Sequence, residues 1–526
     1  MDALRLLSGG KYLTYVGGGR PLFASYLSAI LYLVGNSLQL TLAIMNLIVA
    51  IAVFFSVINF YKKFGVLPAI LFFLLIFFFT RKYVGNTVSE MLGIPFGLLS
   101  FCFFLTRDEK NYKLNSFFGY WLLSIALNIR PGALAILPLT VVWEMVKRRK
   151  EKFSSRELLS YCILPVALGF ILNLILVKLF SSPDIIPFSN FAHFLYSMSR
   201  GGVGWSQILT DHPEFFHLQD PELTSAIVKI AVENIVKNPI NPLLFVLKQY
   251  SLLFNPFEGK KSLFSFFNPE TESLSLFIQV SLYVLLLVGI VLLVRNRKND
   301  YSEFLLLSFA GFLASIPLAT TQDFNFLRPY ASTIAFIAAI PCITLTKIQI
   351  PRLQIKQNEE TNKNITNSIP MMFTSVVLVL VSFILPMMFG NREGPKTYST
   401  QPCPDGKESI VFRIYPNSSI IVLPENEFFL DWLPYFHKGR FYQNMRIFDY
   451  PELVEPLSAL KAPFKLSLGI NLIDHNDYYL IIKDESKFDQ NGLFHICGNS
   501  IPYQFSPWTQ YIAEPFLVES MEKIKL

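Results

Sequence analysis

The feature that most constrains the fold is a pair of apolar stretches in residues 122–152 that flank a break at Arg130, Pro131 and Gly132. Proline and glycine interrupt helices, so the chain is expected to turn at this break. The second stretch ends in a basic cluster at residues 147–152. Because basic loops favour the cytoplasmic side of a membrane, the sequence predicts a transmembrane hairpin with the Arg130 tip at the outer face.

Composition supports a membrane protein. Of the 526 residues, 52% are hydrophobic and only 16% are charged, whereas a soluble protein carries roughly 25% charged residues. The net charge of +7 reflects 45 Lys and Arg against 38 Asp and Glu. Much of this excess lies in short loops, so it reports topology, and no nucleic acid is expected as a partner.

Apolar segments predict an all-α polytopic membrane bundle of about ten spans over residues 1–390, since each span needs roughly 20 residues or fewer where a helix is broken. Assigning the basic loops to the cytoplasm places both chain ends outside. An outer amino terminus with no preceding span predicts that a first transmembrane helix precedes this sequence. The predicted spans are 38–60, 66–80, 91–105, 114–128, 132–146, 158–180, 274–294, 304–319, 329–345 and 371–389.

The tail, residues 391–526, is predicted to be a small soluble α/β domain on the extracytoplasmic side. Apolar runs bounded by turn residues indicate strands, and one longer run indicates a helix. The tail shows no metal-ligand spacing, so no metal site is predicted there. The predicted strands are 409–414, 419–423, 478–482 and 493–497, and the predicted helix is 428–441.

Two cysteines lie in this tail, Cys403 and Cys497. If the tail is outside, both occupy an oxidising compartment, which favours a disulfide between them. The alternative is a pair of unrelated thiols.

Charged residues at the predicted outer face form the candidate site. Several cations at one membrane depth suit a lipid-linked phosphate or pyrophosphate, because arginine can bind phosphate through two hydrogen bonds. A carboxylate beside them can deprotonate an acceptor hydroxyl or hold a divalent metal, so a metal cofactor is an open alternative. The alternative for the whole set is an interfacial belt of solvated charges. The candidates are Arg81, Lys82, Glu90, Arg130, Asp323 and Arg328, with Glu90 as the candidate catalytic residue.

A long outer segment, residues 181–272, separates two groups of spans. Its glycines beside Trp205 allow a tight loop that can lie against a lipid or sugar, although ordinary turn chemistry is the alternative. His212 is interpreted as a surface histidine. Residues 242–254 are predicted to form an interfacial helix.

The chain resembles the GT-C superfamily of integral membrane glycosyltransferases, which includes protein mannosyltransferase-like enzymes and lipid A aminoarabinose transferase-like enzymes. The resemblance covers roughly residues 1–345. It rests on the stretches ALRLLSGGKYLTYVGGGRPLFASYL, NTVSEMLGIPFGLL, ALNIRPGALAILPL and DFNFLRPYASTIAF, while NFAHFLYSMSRGGVGWSQILTDHPE looks like a lineage-specific version of the long outer loop.

This resemblance implies a sugar donor linked to polyprenyl phosphate, a reaction at the outer face of the plasma (inner) membrane, and a glycan, lipid or protein acceptor. The family's aspartate stands several residues before an Ala-x-x-Leu-x-x-Gly stretch. Here that stretch begins at Ala3, so the aspartate is expected before Met1, because Asp2 is too close. Within this chain, Glu90, Arg130 and Arg328 are expected to converge on one groove, with Arg81 or Lys82 near its rim.

Two other functions are open at this point. A transporter or flippase of lipid-linked sugars would show repeat symmetry and ionisable groups at the membrane midplane, and neither is evident in the sequence. A non-catalytic membrane scaffold whose tail binds partners is the second alternative.

Overall fold

The computed structural model describes most of the helical region and part of the tail. The described residues are 2–7, 21–35, 37–107, 111–151, 153–181, 189–204, 207–212, 214–215, 218, 220–267, 272–319, 327–347, 368–390, 402–404, 406–414, 420–422, 464–472, 477–483, 492–500 and 514–524. Within them, helices lie between residues 2 and 390 and strands between residues 408 and 523.

The helices form most of the described chain. In order they are α1 (Asp2–Leu7), α2 (Pro21–Leu33), α3 (Leu38–Phe64), α4 (Val66–Thr80), α5 (Glu90–Leu105), α6 (Tyr112–Ile129), α7 (Ile136–Lys150), α8 (Ser155–Leu158), α9 (Leu164–Phe180), α10 (Asn190–Ser199), α11 (Gln207–Asp211), α12 (Asp220–Lys237), α13 (Ile240–Phe254), α14 (Glu272–Arg295), α15 (Asp300–Ala319), α16 (Ile334–Ile343) and α17 (Ser368–Gly390). A π-helical turn, Leu159–Ile163, joins α8 to α9, and 3-10 turns cover Pro256–Lys261, Ser265–Phe267, Arg328–Thr333 and Thr344–Lys347.

Four helical segments among the described residues are long and apolar enough to cross a membrane: Leu38–Phe64, Ser155–Phe180, Ser275–Arg295 and Arg328–Thr346. The chain is therefore a helical protein suited to a membrane. Other predicted spans coincide with shorter apolar helices such as Val66–Thr80, so the figure of about ten stays a prediction.

Helix α5 forms the centre of the bundle. Every residue from Glu90 to Leu105 is buried, because its sequence is apolar on all sides and leaves no polar face for solvent. It packs between α3 and α6, and the 3-10 turn Arg328–Thr333 lies against it. The segment Arg328–Thr346, which contains α16, is likewise mostly buried. By contrast, α3, α9 and α14 expose most of their surface and suit contact with lipid.

The predicted hairpin at residues 122–152 is only partly recovered. Helix α6 ends at Ile129 and α7 begins at Ile136, so the chain breaks where the sequence indicated. However, α7 packs mainly against α15 rather than along α6. The break is therefore a corner, after which the chain packs against α15 instead of α6.

Two glycines, one at the corner and one in α5, allow the Arg328–Thr333 turn to pack closely against both. A Cβ added at Gly132 would lie 2.3 Å from the backbone oxygen of Pro329, and one added at Gly97 would lie 1.8 Å from that of Ser332. Only a residue without a side chain permits these backbone approaches. The glycines therefore set how closely Arg328 approaches α5.

Substitution of Gly97 by alanine is expected to lower stability by about 1–3 kcal/mol, because the new methyl group forces the turn away from α5. Thermal unfolding of the detergent-solubilised chain measures this loss. Gly204→Ala is the matched control, since a Cβ at Gly204 meets no atom of the described part of the chain within 4 Å. Equal melting temperatures for the two variants would contradict the close packing.

The long outer segment has a small core of its own, formed where α10 packs against α12. Helix α13 covers the predicted interfacial helix 242–254 and presents two different faces. It buries Phe245 and Leu253 while exposing Leu243 and Leu247. The core of the segment comprises Ala192, Tyr196, Ile208, Phe215, Leu223, Ile227 and Ala231.

The described part of the tail contains six strands: β1 (Glu408–Ile414), β2 (Ile420–Val422), β3 (Phe464–Ile470), β4 (Asp477–Lys483), β5 (Gly492–Ser500) and β6 (Glu514–Lys523). They form one sheet with the order β1-β5-β6-β4-β3-β2. All neighbouring strands are antiparallel except β4 and β6, which are parallel. The four predicted strands correspond to β1, β2, β4 and β5, whereas β3 and β6 were not predicted. The predicted helix 428–441 lies outside the described residues.

Candidate functional site

Three charged residues from distant parts of the chain meet at the start of α5. Arg130 Nη2 donates a hydrogen bond of 2.5 Å to Glu90 Oε1. Arg328 donates from Nε to the same oxygen and from Nη2 to Oε2 at 3.3 Å. Both carboxylate oxygens of Glu90 are thus bound by guanidinium groups. We call these three residues the ion-pair cluster.

Each member of the ion-pair cluster stands at a helix boundary. Glu90 is the first residue of α5, Arg130 follows the last residue of α6, and Arg328 opens the 3-10 turn. The carbonyl of Ala126 ties two of these boundaries together, because it accepts from the backbone N–H of Arg130 at 2.9 Å and from Ser332 Oγ at 2.7 Å. The ends of the elements, rather than their middles, therefore build the cluster.

The cluster is graded in burial. The Glu90 side chain is 0% exposed, that of Arg130 is 13% exposed and that of Arg328 is 38% exposed. Two guanidinium groups against one carboxylate leave a net charge of +1. Arg130 Nε is buried and has no hydrogen-bond partner among the residues that the structure describes. A partly exposed arginine above a buried one can attract and hold an anion.

Tyr83 borders the cluster and was not identified from the sequence. Burial raises the pKa of the Tyr83 phenol, and the carboxylate of Glu90 raises it further while Arg328 and Arg130 oppose that rise. The phenol is therefore neutral at physiological pH and can donate a hydrogen bond. A tyrosine in a short loop gave no signal that it would lie beside this carboxylate.

The other predicted site residues are Arg81, Lys82, Asp323 and Trp205. Arg81 is exposed, and its guanidinium lies over the ring of Phe78, 4.5 Å from the centroid. Lys82 follows it in the same exposed turn. A position of either cation at the rim of the site stays a prediction. Asp323 and Trp205 lie outside the described residues.

A second ionic cluster lies at the opposite end of α5. Glu144 is fully buried and accepts from Arg107 at 3.0 Å, from Arg148 at 3.4 Å and from the hydroxyl of Tyr112. With about 1.5 Å of rise per residue, α5 separates the two clusters by about 24 Å. Arg107, Tyr112 and Arg148 also line a cavity of about 600 Å³ that extends to Asp300 and Lys298.

The outer segment contains a third polar group around Asp211. Burial alone would raise the pKa of this carboxyl, but hydrogen bonds from Tyr196 and Gln207 and the charge of Arg200 bring it below the usual range. The neighbouring His212 is partly exposed, and its Nδ1 lies 2.9 Å from Glu214 Oε1. Asp211 thus ties α10 to α11, and the position of His212 agrees with a surface residue.

In the tail, Cys403 and Cys497 form a disulfide with their Cα atoms 5.6 Å apart. His495 lies beside it, with Nε2 3.8 Å from Cys403 Sγ and 2.8 Å from Ser409 Oγ. No metal ligands were predicted here from the residue pattern. The available signal was the spacing of His495 and Cys497, because residues two apart on a strand share one face.

The chain was compared with protein-family models, with curated proteins and with solved structures, and none of the three comparisons finds a match.

Proposed function

We propose that the chain is a membrane glycosyltransferase that moves a sugar from a polyprenyl-phosphate carrier to an acceptor at the outer membrane face. The observation that supports this proposal best is the meeting of Arg130 and Arg328 at Glu90. The resemblance of the quoted stretches to GT-C enzymes supplies the reaction class. The acceptor is a hydroxyl of a glycan, lipid or protein.

The proposed reaction leaves negative charge on the carrier. The acceptor oxygen bonds to the anomeric carbon and gives its proton to water or to a carboxylate base. At the same time the carbon–oxygen bond to the phosphate breaks, and its electron pair stays on the phosphate. Arg328 can stabilise that charge through two N–H donors, because its side chain is partly exposed. Fixed cations in a partly dry groove stabilise such charge better than water does.

Glu90 has a positioning role in this arrangement. It fixes both guanidinium groups, since its two oxygens accept hydrogen bonds from them. Direct contact of Glu90 with a metal or an acceptor would require one arginine to release it. Its assignment as a catalytic residue is therefore a separate proposal, and so is the use of a divalent metal.

The membrane arrangement proposed with this function has about ten spans in the plasma membrane and an extracytoplasmic tail. Its support is the side-specific distribution of the basic loops, including residues 147–152 and 295–298. This arrangement puts the ion-pair cluster at the outer face and the Glu144 cluster at the cytoplasmic face.

Reporter fusions are expected to confirm this arrangement. An alkaline phosphatase fused after residue 526 should be active, because the enzyme works only outside the cytoplasm, whereas the same reporter fused after residue 298 should be inactive. A cytoplasmic reporter with the opposite requirement, fused at both positions, is the control. Cytoplasmic activity at residue 526 would overturn the outer-face site.

The function itself is tested with the full chain in vesicles that contain a labelled polyprenyl-phosphate sugar and envelope lipids. Cleavage of the sugar–phosphate bond with transfer of the label to an acceptor is the expected result. Movement of the intact donor across the bilayer would identify a transporter instead. The absence of both donor binding and cleavage over a panel of sugars would favour a scaffold.

A further inference from the structure

Three potential metal ligands meet on one side of the tail sheet. The ligand atoms of Cys403, His495 and Cys497 all lie within 4.8 Å of one another. Two of these residues are almost fully buried, since His495 is 6% exposed and Cys497 is 7% exposed. An imidazole nitrogen and two sulfurs are the ligand types that zinc prefers.

Strand pairing brings these groups together. His495 and Cys497 lie two residues apart on β5 and therefore share one face of the strand. Cys403 comes from the segment just before β1. In the antiparallel pair, Ser409 on β1 stands directly opposite Cys497. The hydroxyl of Ser409 lies 2.8 Å from His495 Nε2 and so holds the imidazole near the two sulfurs.

We propose that Cys403, Cys497 and His495 form a redox-gated zinc site, closed as a disulfide in the oxidised chain and able to bind Zn²⁺ after reduction. A dithiol reductant transfers two electrons and two protons to the disulfide and becomes a disulfide itself. The two new thiols then lose their protons when Zn²⁺ binds as a dithiolate. This inference does not depend on the proposed glycosyltransferase function.

The geometry suits such a change. In a tetrahedral zinc site with Zn–S bonds of about 2.3 Å, two thiolate sulfurs lie about 3.8 Å apart. Breaking the disulfide lets the sulfurs separate. His495 Nε2 already lies 3.8 Å from Cys403 Sγ, and it would exchange its hydrogen bond with Ser409 for a bond to the metal. Cys403 is partly exposed, which gives a reductant access to its sulfur. Water can fill the fourth position, as it does in sites with three protein ligands.

Burial keeps the other three thiols of the chain from competing for the metal ion. The other cysteines of the chain, Cys102, Cys162 and Cys342, are buried and free. Among the described residues, none of them belongs to a group of three potential metal ligands. Their burial restricts the access of an aqueous metal ion to these three sulfurs. A metal signal from the chain can therefore be assigned by substitution in the tail.

The test uses the full chain in detergent, with Co²⁺ as the spectroscopic probe and Zn²⁺ as the competitor. The chain is either left oxidised or reduced with a phosphine that is removed before titration. The reduced chain is expected to bind one Co²⁺ with the absorption bands of thiolate-bound tetrahedral cobalt, and Zn²⁺ should remove those bands. The oxidised chain should show none.

Variants distinguish a metal site from incidental binding. Cys403→Ser combined with Cys497→Ser should abolish the thiolate band, because it removes both sulfur ligands although it keeps all three buried cysteines. His495→Ala should weaken Zn²⁺ binding by at least the roughly 10–100-fold that loss of an outer-shell partner costs. Ser409→Ala removes the hydrogen bond to the imidazole without removing a ligand, so it should keep the band, and His212→Ala is the matched control.

The proposal would be overturned if the reduced, monodisperse wild-type chain gave no thiolate band with Co²⁺. It would also be overturned if the band persisted in the chain with both Cys403→Ser and Cys497→Ser. Because the wild-type chain alone gives a decisive result, misfolding of a variant does not prevent the test.

Discussion

Replacement of Arg328 by alanine is expected to lower the rate of sugar transfer by about 10²–10³-fold, the usual effect of removing one preorganised donor to a developing negative charge. Arg328→Lys should retain part of the activity, because the charge survives without the two-donor geometry. The rate is measured as transfer of labelled sugar from its polyprenyl-phosphate carrier in vesicles. Arg297→Ala is the control, since Arg297 is an exposed arginine beyond the end of α14.

The effect on folding should be smaller than the effect on rate. In Arg328→Ala the carboxylate of Glu90 still has Arg130 at 2.5 Å, so the loss of stability should be less than the about 3–5 kcal/mol expected for an unpaired buried charge. Melting temperature in detergent separates the two effects. A folded Arg328→Ala chain with wild-type transfer would exclude this arginine from the reaction.

Replacement of Glu144 by alanine is expected to destabilise the chain by about 3–5 kcal/mol, because it leaves the buried guanidinium of Arg107 without its carboxylate. The Arg107 side chain is only 7% exposed and Glu144 is 0% exposed. The measurement is denaturant or thermal unfolding of the purified chain. Glu151→Ala is the matched control, since Glu151 pairs with the same Arg148 but is 43% exposed, and exposed pairs contribute at most about 1 kcal/mol.

A double substitution separates the contribution of the ion pair from the cost of leaving one buried charge unpaired. Arg107→Met with Glu144→Leu should recover much of the stability lost in Glu144→Ala, because replacing both members of a buried ion pair by apolar residues is often neutral or stabilising. If Glu144→Ala and Glu151→Ala lost equal stability, the buried position of Glu144 would have no special role at this end of the bundle.

The sequence predicted the helix bounds well because hydropathy is a local property. Residues 66–80 were expected to form one apolar segment, and the helix Val66–Thr80 has these bounds. The segment predicted at residues 38–60 forms a helix that runs on to Phe64, and a glycine directly after Phe64 ends it. Apolar side chains can pack against lipid or inside a protein core. The sequence therefore indicated the helices without showing which of them are buried within the bundle.

The tail illustrates the limits of local pattern reading. Strand β3, Phe464–Ile470, places apolar residues at alternate positions, yet its lysine, serine and glycine weakened that signal. Strand β6 was also missed. Its pairing with β4 and β5 depends on residues elsewhere in the chain, because an isolated strand gains its hydrogen bonds only from its neighbours.

By itself, the sequence determined that the chain has apolar helices suited to a membrane and a polar tail with strands. It also singled out Glu90, Arg130 and Arg328 as charges at the predicted outer face. Only the tertiary structure decided that these three share hydrogen bonds, that α7 turns away to α15, and that His495 lies beside the disulfide. Hydropathy follows from each segment alone, whereas the choice of partner depends on how closely distant backbones approach, and at Gly97 and Gly132 that approach is set by the absence of a side chain.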